Sequence, residues 1–522
     1  MAEQSLEDKE VNRIVPGVTA AYRALIDKHG HGLLTSNGRF YNHTIFGRDA
    51  SMSAKFVIGF DRDVVWETIK TLASKQGVKH SDITQEERGR IHHELRDYTT
   101  WRGGLYNRIG MKAIGISWGM RGKKLLTYFA ADTTADYIRL IHKYWRVVDK
   151  NVLTREIRLG NSQSIALGES VYRAAKWLVD QVDVNGLFVV RRHNRWSLPY
   201  QTFTDSVTAY TARDGHALNT ARTHSFIEVH IYALDAICDA MELLEGDARI
   251  AGWQEVAAKM RQVPFDLFWD EKYDNFSAAV AFDRGKIQRA DGAMITNGWT
   301  LNASFWYDLP TEKHRERLEK IIRRLFRDDI LTDVGIRTKS TDAYEPLGRD
   351  IDYHGSRTVW PMFNFMVIEG LRRHGFYKLA EQLENRVLNG VNAIGDFTEF
   401  FIVDHDKTLY RADAKAKTHR RGQMIPEQNI AFTVVPVLVM ARRKLVPELN
   451  KSHGQWQDQF EAEILSSIEH VELLPAEKAV DAYKATPLRI DRTWCGIRSA
   501  LHIAPVILSK YGKDSRRSDI GE

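Results

Sequence analysis

Cysteine is nearly absent: Cys238 and Cys495 are the only two among 522 residues. Two thiols build neither a disulfide framework nor a cysteine-rich zinc site. Proline is sparse, at 12, and no Pro/Gly/Ser-rich stretch divides the chain, so a single large domain is the economical reading. No run approaches the roughly 18 apolar residues of a membrane-spanning helix. The opening "MAEQSLEDKEVNRIV" lacks the apolar core of a secretory signal, so the expected address is the cytoplasm, away from membranes. Charge of one sign is missing as well. The net +6 is the small difference between 74 basic and 68 acidic residues, and no basic stripe marks a nucleic-acid partner. The densest cluster, "KAKTHRR" at 415–421, reads as a solvated loop. The 19 histidines are dispersed, and "IHH" at 91–93 has no ligand partner at helical spacing. No metal and no cofactor is expected, and the oligomeric state is left open.

What the chain does have is helical periodicity. "TEKHRERLEKIIRRLF" spaces Leu318, Ile321, Ile322, Leu325 and Phe326 along one face, the stripe of an amphipathic helix. "SFIEVHIYALDAICDAMELL" is apolar nearly all round its first half, as a helix covered on most sides would be. Further helices are expected near 15–28, 50–73, 125–145, 165–183, 250–263, 297–306, 358–374, 376–393, 428–443 and 455–468. The mixture of striped and fully apolar helices fits a double ring whose inner members are buried on two sides. The predicted fold is all-α, an (α/α)6 barrel over 1–444 followed by a helical extension over 445–522 with a frayed end. "GLFVVRR" and "EFFIVDH" read as short isolated strands in the connections.

Polar residues gather in five connections. "YNHTIFGRDASMSAKF" carries Arg48 and Asp49 at a helix start, where an acidic residue also serves the helix dipole. "GRIHHELRD" and "TYFAADTTADYI" contribute Glu94 and Asp132. "LPYQTFTDSVTAYTARDGH" places Asp205 among hydroxyls and aromatics and leads into the helix bearing Glu228. The long irregular segment 335–364 offers Arg337, Tyr353, His354 and Trp360, and a segment of that kind in a compact domain usually has a function. "GDFTEFFIVD" flanks Glu399 with Phe397, Phe400 and Phe401, neighbours that desolvate a carboxylate. The 13 Trp, 19 Tyr and 22 Phe suit a site where rings stack on sugars, and suit a packed core equally.

Taken in order, these segments resemble the glucosidase domain of the glycogen-debranching enzymes, amylo-α-1,6-glucosidases, and more broadly the glucoamylase and trehalase-like (α/α)6-barrel glycosidases. "FGRDA" resembles W-G-R-D-T, "GRIHHELR" resembles G-K-[IL]-L-H-E-[VI]-R, and "FAADTT" resembles Y-x-x-[VS]-D-A-[TS]. "QTFTDS" stands in the place of Q-G-W-K-D-S. "GIRTKS", "YHGSRTVWP" and "LRRHG" are similar to G-I-R-T-L-S, Y-H-x-G-S-V-W-P and L-R-R-Y-G. "FTEFF" stands for L-P-E-L-F and "PEQNIAF" for S-P-Q-A-W-A.

The resemblance implies an inverting exo-acting glycoside hydrolase, with Asp205 as general acid and Glu399 as the base that activates water. It implies that Arg48 and Asp49 hold the terminal sugar. Glu94, Asp132, Glu228, Arg337, Tyr353, His354, Trp360 and Gln428 would complete the substrate site. Two alternatives stand beside a debranching α-glucosidase: a trehalase-like or other small α-glycoside hydrolase, and a barrel that binds carbohydrate without catalysis. The departures bear on that choice. Phe203-Thr204 replaces Trp-Lys before the acid, and Thr398 replaces Pro before the base. No N-terminal β-sandwich is seen, which tilts the expected substrate toward short oligosaccharides or small glycosides.

Overall fold

The computed structural model describes residues 6–38, 41–97, 115–122, 124–194, 197–206, 209–212, 218, 223–283, 286–290, 298–308, 311–343, 353–411, 426–445 and 455–473. Its first helix, α1 (Leu6–Leu25), begins well before the apolar rhythm that announces it and accommodates Pro16. The single helix expected over 50–73 is two, α2 (Gly47–Val57) and α3 (Arg62–Ser74). They part at Asp61, whose carboxylate accepts from the Val64 N–H at 3.2 Å and so starts the second helix. The span expected to be helical from 125 opens as a strand and becomes helix α4 only at Asp132–Val147. There follow α5 (Leu167–Asp180), α6 (Ile227–Leu243) and α7 (Trp253–Val263).

The expected helix over 297–306 is α-helical in its described part only at 298–299 and continues as two 3-10 turns at Thr300–Asn302 and Ser304–Asp308. Asp235 explains the break: its carboxylate accepts from both the N–H and the hydroxyl of Ser304, at 3.2 and 2.6 Å. The remaining helices are α8 (Thr311–Leu325), α9 (Pro361–Arg373), α10 (Tyr377–Ile394), α11 (Ala431–Lys444) and α12 (Gln455–Ser467).

The packing order is cyclic. α2 lies against α4, α4 against α6, and α6 against the turn at Thr300–Asn302; that turn meets α9, α9 meets α11, and α11 returns to α2. α3 backs α2 and α4, α5 backs α4 and α6, α7 backs α6, α10 backs α9 and α11, and α1 backs α11. Burial follows this arrangement. Ile227 to Ile237 of α6 and Pro361 to Ile368 of α9 are buried without a break, whereas α8 buries the stripe Leu318, Ile321, Ile322 and Leu325. Each such apolar side chain contributes about 1.5–3 kcal/mol when withdrawn from water.

Strands turn out to be more organised than expected. β1 (Ile45–Phe46), β2 (Glu94–Asp97) and β3 (Lys124–Thr127) form an antiparallel sheet, with Phe46 opposite Glu94 and Glu94 opposite Thr127. β1 runs straight into α2. Thr223–Phe226, paired with Ala279–Asp283, runs into α6 in the same way. Thr358–Val359, paired with Phe401–Val403, leads into α9. "EFFIVDH" is therefore part of a sheet, while "GLFVVRR" makes isolated bridges at Phe188 and Val190. Three inner helices thus start from small sheets, which fixes the direction of their N-termini.

The described part of the C-terminal extension docks on α10: Leu379 N–H donates to Glu461 at 3.0 Å and Val471 N–H to Gln382 at 2.9 Å. The rest of it, and the "KAKTHRR" loop, lie outside the described residues. Among the described residues no helix is long and apolar enough to cross a membrane.

Candidate active site

The functional candidates collect where the inner helices begin. Gly47 opens α2, and a Cβ there would collide with the His92 carbonyl and the Thr133 methyl. Its bare backbone lets the start of α2 approach the start of α4. Arg48 in the first turn of α2 therefore reaches Asp132 in the first turn of α4, Nε to Oδ2 at 3.2 Å. The same guanidinium donates to the Phe203 carbonyl at 3.4 Å and lies 3.9 Å from the Asp205 carboxylate. It sits 5.1 Å from the centre of the Phe203 ring, a cation–π placement. Arg48, Asp49, Asp132 and Asp205 form one group.

Asp205 lies on a loop held from behind. Glu228, the second residue of α6, is fully buried. It accepts from the Thr202 hydroxyl at 2.5 Å and from the Tyr210 hydroxyl. Thr204 donates in turn to Tyr210, and the Tyr200 hydroxyl donates to the Tyr210 carbonyl at 3.1 Å. Glu228, expected to line the sugar site, thus ties down both flanks of Asp205. Phe203 packs edge-on to Trp299 with centroids 4.1 Å apart. Asp205 itself keeps 29% of its side-chain surface exposed. Burial pushes its pKa up to about 6 against the pull of Arg48, with Glu94 adding to the rise.

Glu399 belongs to the same neighbourhood through Asp49, whose charge acts on it. The Tyr353 hydroxyl donates to one carboxylate oxygen and the Glu427 N–H to the other at 3.1 Å. Burial pushes its pKa up to about 8 in spite of these donors, helped by the charges of Glu427 and Asp49. Asp49 connects the two sides. It is raised to about 7, first by burial and then by Asp205 and Asp132 against Arg48. Tyr41 and Tyr353 also stand in the field of both Asp205 and Glu399. The two acids, 194 residues apart in sequence, share one electrostatic environment.

Glu94 and Arg96, on the same face of β2, pair at 2.7 Å. The Arg96 guanidinium lies 5.5 Å from the Tyr41 ring centre and 5.8 Å from that of Phe46. Trp360 stacks on His354 at 5.0 Å and on Phe363 at 5.1 Å, with Tyr353 edge-on at 4.9 Å. That aromatic wall stands beside Glu399. His354 is held well below the usual imidazole range, first by burial and then by Lys339 and Arg48, so it is neutral.

Two expected site residues lie elsewhere. Arg337 is 1% exposed, and its terminal nitrogens donate to the carbonyls of Ser356, Val403 and Asp404. It clamps the loop before α9 to the strand after Glu399, a scaffold role. Gln428 is exposed and engages Thr398 through a backbone bridge. Its neighbour Glu427, only 1% exposed, is the residue that touches Glu399. Tyr41 and Glu427 were missed although both lie inside quoted segments, "YNH" and "PEQNIAF". The motif placed its polar emphasis one residue late.

No family model matches the sequence, and no curated protein does. The fold has solved relatives. The GH63 mannosylglycerate hydrolase from Thermus thermophilus, in complex with glucose, aligns with a TM-score of 0.51 at 13% identity, covering 82% of this chain and 99% of that one. The same enzyme with Tris and D-glycerate aligns at 0.52 over the same shares. A rhamnosidase from Klebsiella oxytoca with rhamnose bound reaches 0.48 at 10% identity, over 84% of this chain and 64% of that one, too low to weigh. At such identities the likeness is one of fold.

Proposed function

We propose that the chain is an inverting glycoside hydrolase on an (α/α)6 barrel, acting on a small α-glycoside. The observation that supports this reading is that Asp205 and Glu399, far apart in sequence, act on the same buried groups, Tyr41 and Tyr353, with Asp49 coupled to each. Glycoside cleavage by inversion needs a protonated carboxyl at the leaving oxygen and an ionised one on the opposite face. A gap of about 6.5–9.5 Å between them admits a water.

In this reading Asp205 gives its proton to the departing oxygen. Glu399 takes a proton from the water that attacks the anomeric carbon. Arg48, Asp49 and Glu94 meet the sugar hydroxyls, and Trp360 and Tyr353 offer ring faces to its C–H surface. Asp132 keeps Arg48 extended. Glu399 holds a proton more tightly than Asp205, about 8 against about 6. The productive form, with Asp205 protonated and Glu399 ionised, is then the minority among the singly protonated molecules. That minority form combines a strong acid with a strong base, which speeds each proton transfer.

Small substrates are favoured over branched polymer because the neighbour matched over nearly its whole length is named for a small glycoside. Nothing in the comparisons speaks for glycogen debranching. The test is sugar release from α-mannosyl- and α-glucosyl-glycerate, trehalose, maltose, isomaltose and a glycogen limit dextrin. Release from a small glycoside is expected. Binding without release from any of them would favour the carbohydrate-binding alternative, and release from the dextrin alone would restore the debranching one.

A further inference from the structure

We infer that Glu427 is a positioning residue for Glu399, holding it by a main-chain hydrogen bond and acting on it through the charge of its own carboxylate. This rests on the reading of Glu399 as the base. The two residues exchange backbone bonds: Glu399 N–H donates to the Glu427 carbonyl at 2.8 Å, and Glu427 N–H donates to the Glu399 carboxylate at 3.1 Å. The Glu427 carboxylate is itself seated. Ser36 donates to its Oε1 at 2.7 Å, and the Tyr41 N–H faces the same oxygen at 3.5 Å. Gly38 closes over it, and a Cβ at that glycine would collide with Oε1.

The surrounding weave is fixed by main-chain and hydroxyl bonds. Ala431 N–H donates to the Thr35 carbonyl at 2.8 Å, and the Thr433 hydroxyl to the Thr398 carbonyl at 2.7 Å. The chain before α2, the Glu399 loop and the start of α11 therefore meet at this one carboxylate.

The groups facing Glu399 are the Tyr353 hydroxyl, the Glu427 N–H and carboxylate, Asp49 from α2, and more distantly Tyr41 and Asp205. Of these, Glu427 and Asp49 are the acids whose charge raises its proton affinity. Like charges nearby disfavour the ionised form, so a neutral residue at 427 lets Glu399 lose its proton more easily.

The experiment follows Glu399 in two ways. Without substrate, the carboxyl titration is read by infrared or 13C NMR in wild type, Glu427→Gln, Glu427→Asp and Ser36→Ala, the Glu399 signal being the one absent from Glu399→Gln. With substrate, the alkaline limb of kcat/KM is read in the same proteins. Glu427→Gln is expected to move both downward by about one pH unit. Ser36→Ala should move them less in the same direction, and Glu427→Asp, which keeps the charge, should leave them near wild type. A Glu399 titration that stays put in both Glu427→Gln and Ser36→Ala overturns the inference, even if stability falls. A titration that moves in a protein hydrolysing no glycoside leaves the inference standing and removes the hydrolase reading.

Discussion

The starts of the inner helices and the stretches further along the helices are both crowded with buried charge, but they handle it differently. At the starts, Asp49, Asp132, Asp205 and Glu228 share the single cation Arg48, and Glu399 stands near Asp49, so acids outnumber the cation and burial raises the pKa of each. Further along, charges are matched. Lys55 meets Asp136 at 2.5 Å, Arg139 meets Asp235 at 3.3 Å, and Arg443 meets Glu369 at 2.5 Å and Glu384 at 3.2 Å. Matched ions hold helices in register, whereas unmatched acids raise the free energy of the fold and persist where chemistry uses them.

The largest expected effects separate the two regions by what they damage. Asp205→Asn and Glu399→Gln each lower turnover of an unactivated glycoside by about 10²–10⁴-fold while leaving the melting temperature at or above wild type. Asp136→Asn does the opposite. It leaves Lys55 buried opposite a neutral group, costs about 3–5 kcal/mol in denaturant unfolding, and spares the rate per folded molecule. If Asp136→Asn abolished turnover in a fully folded protein, the division would fail.

Next in size is the pH dependence. With Asp205 near 6 and Glu399 near 8, kcat/KM should follow a bell with limbs near those values. A profile flat from pH 5 to 9 would contradict it. The stability of the fold responds to the same groups with a definite sign. Asp49, Asp132 and Glu399 have folded pKa values raised to about 7, 7 and 8. Their contribution is fully present below the ordinary carboxylate range and is lost as pH rises through those values. Glu399→Gln should therefore raise the melting temperature at pH 8 by on the order of 2 °C, and the gain should vanish at pH 4. Smallest is Gln428→Ala. The side chain is exposed, so turnover should stay within about twofold; a tenfold loss would return it to the site.

Much of this was legible in the sequence because it depends on local pattern. The stripe of α8 and the all-round apolar run of α6 announce outer and inner helices, and "FGRDA" and "FAADTT" mark two helix starts. What periodicity could not show is who meets whom. Asp61 splits one expected helix and Asp235 holds the turn at Ser304 that cuts another short, through contacts with residues near and far. Arg337 looks like a sugar ligand until three carbonyls are seen to surround its guanidinium. Glu228 reads as a lining residue until Thr202 and Tyr210 close over it. Glu427 could not be told from Gln428 because only the fold shows which of two adjacent polar residues turns inward.

The most direct test of the central claim is the configuration of the first sugar released, followed by 1H NMR before mutarotation. An acid and a base acting across one water from an α-glycoside give the β anomer first. Appearance of the α anomer first would show that one of the two carboxylates bonds to the sugar, and the proposed roles of Asp205 and Glu399 would be wrong.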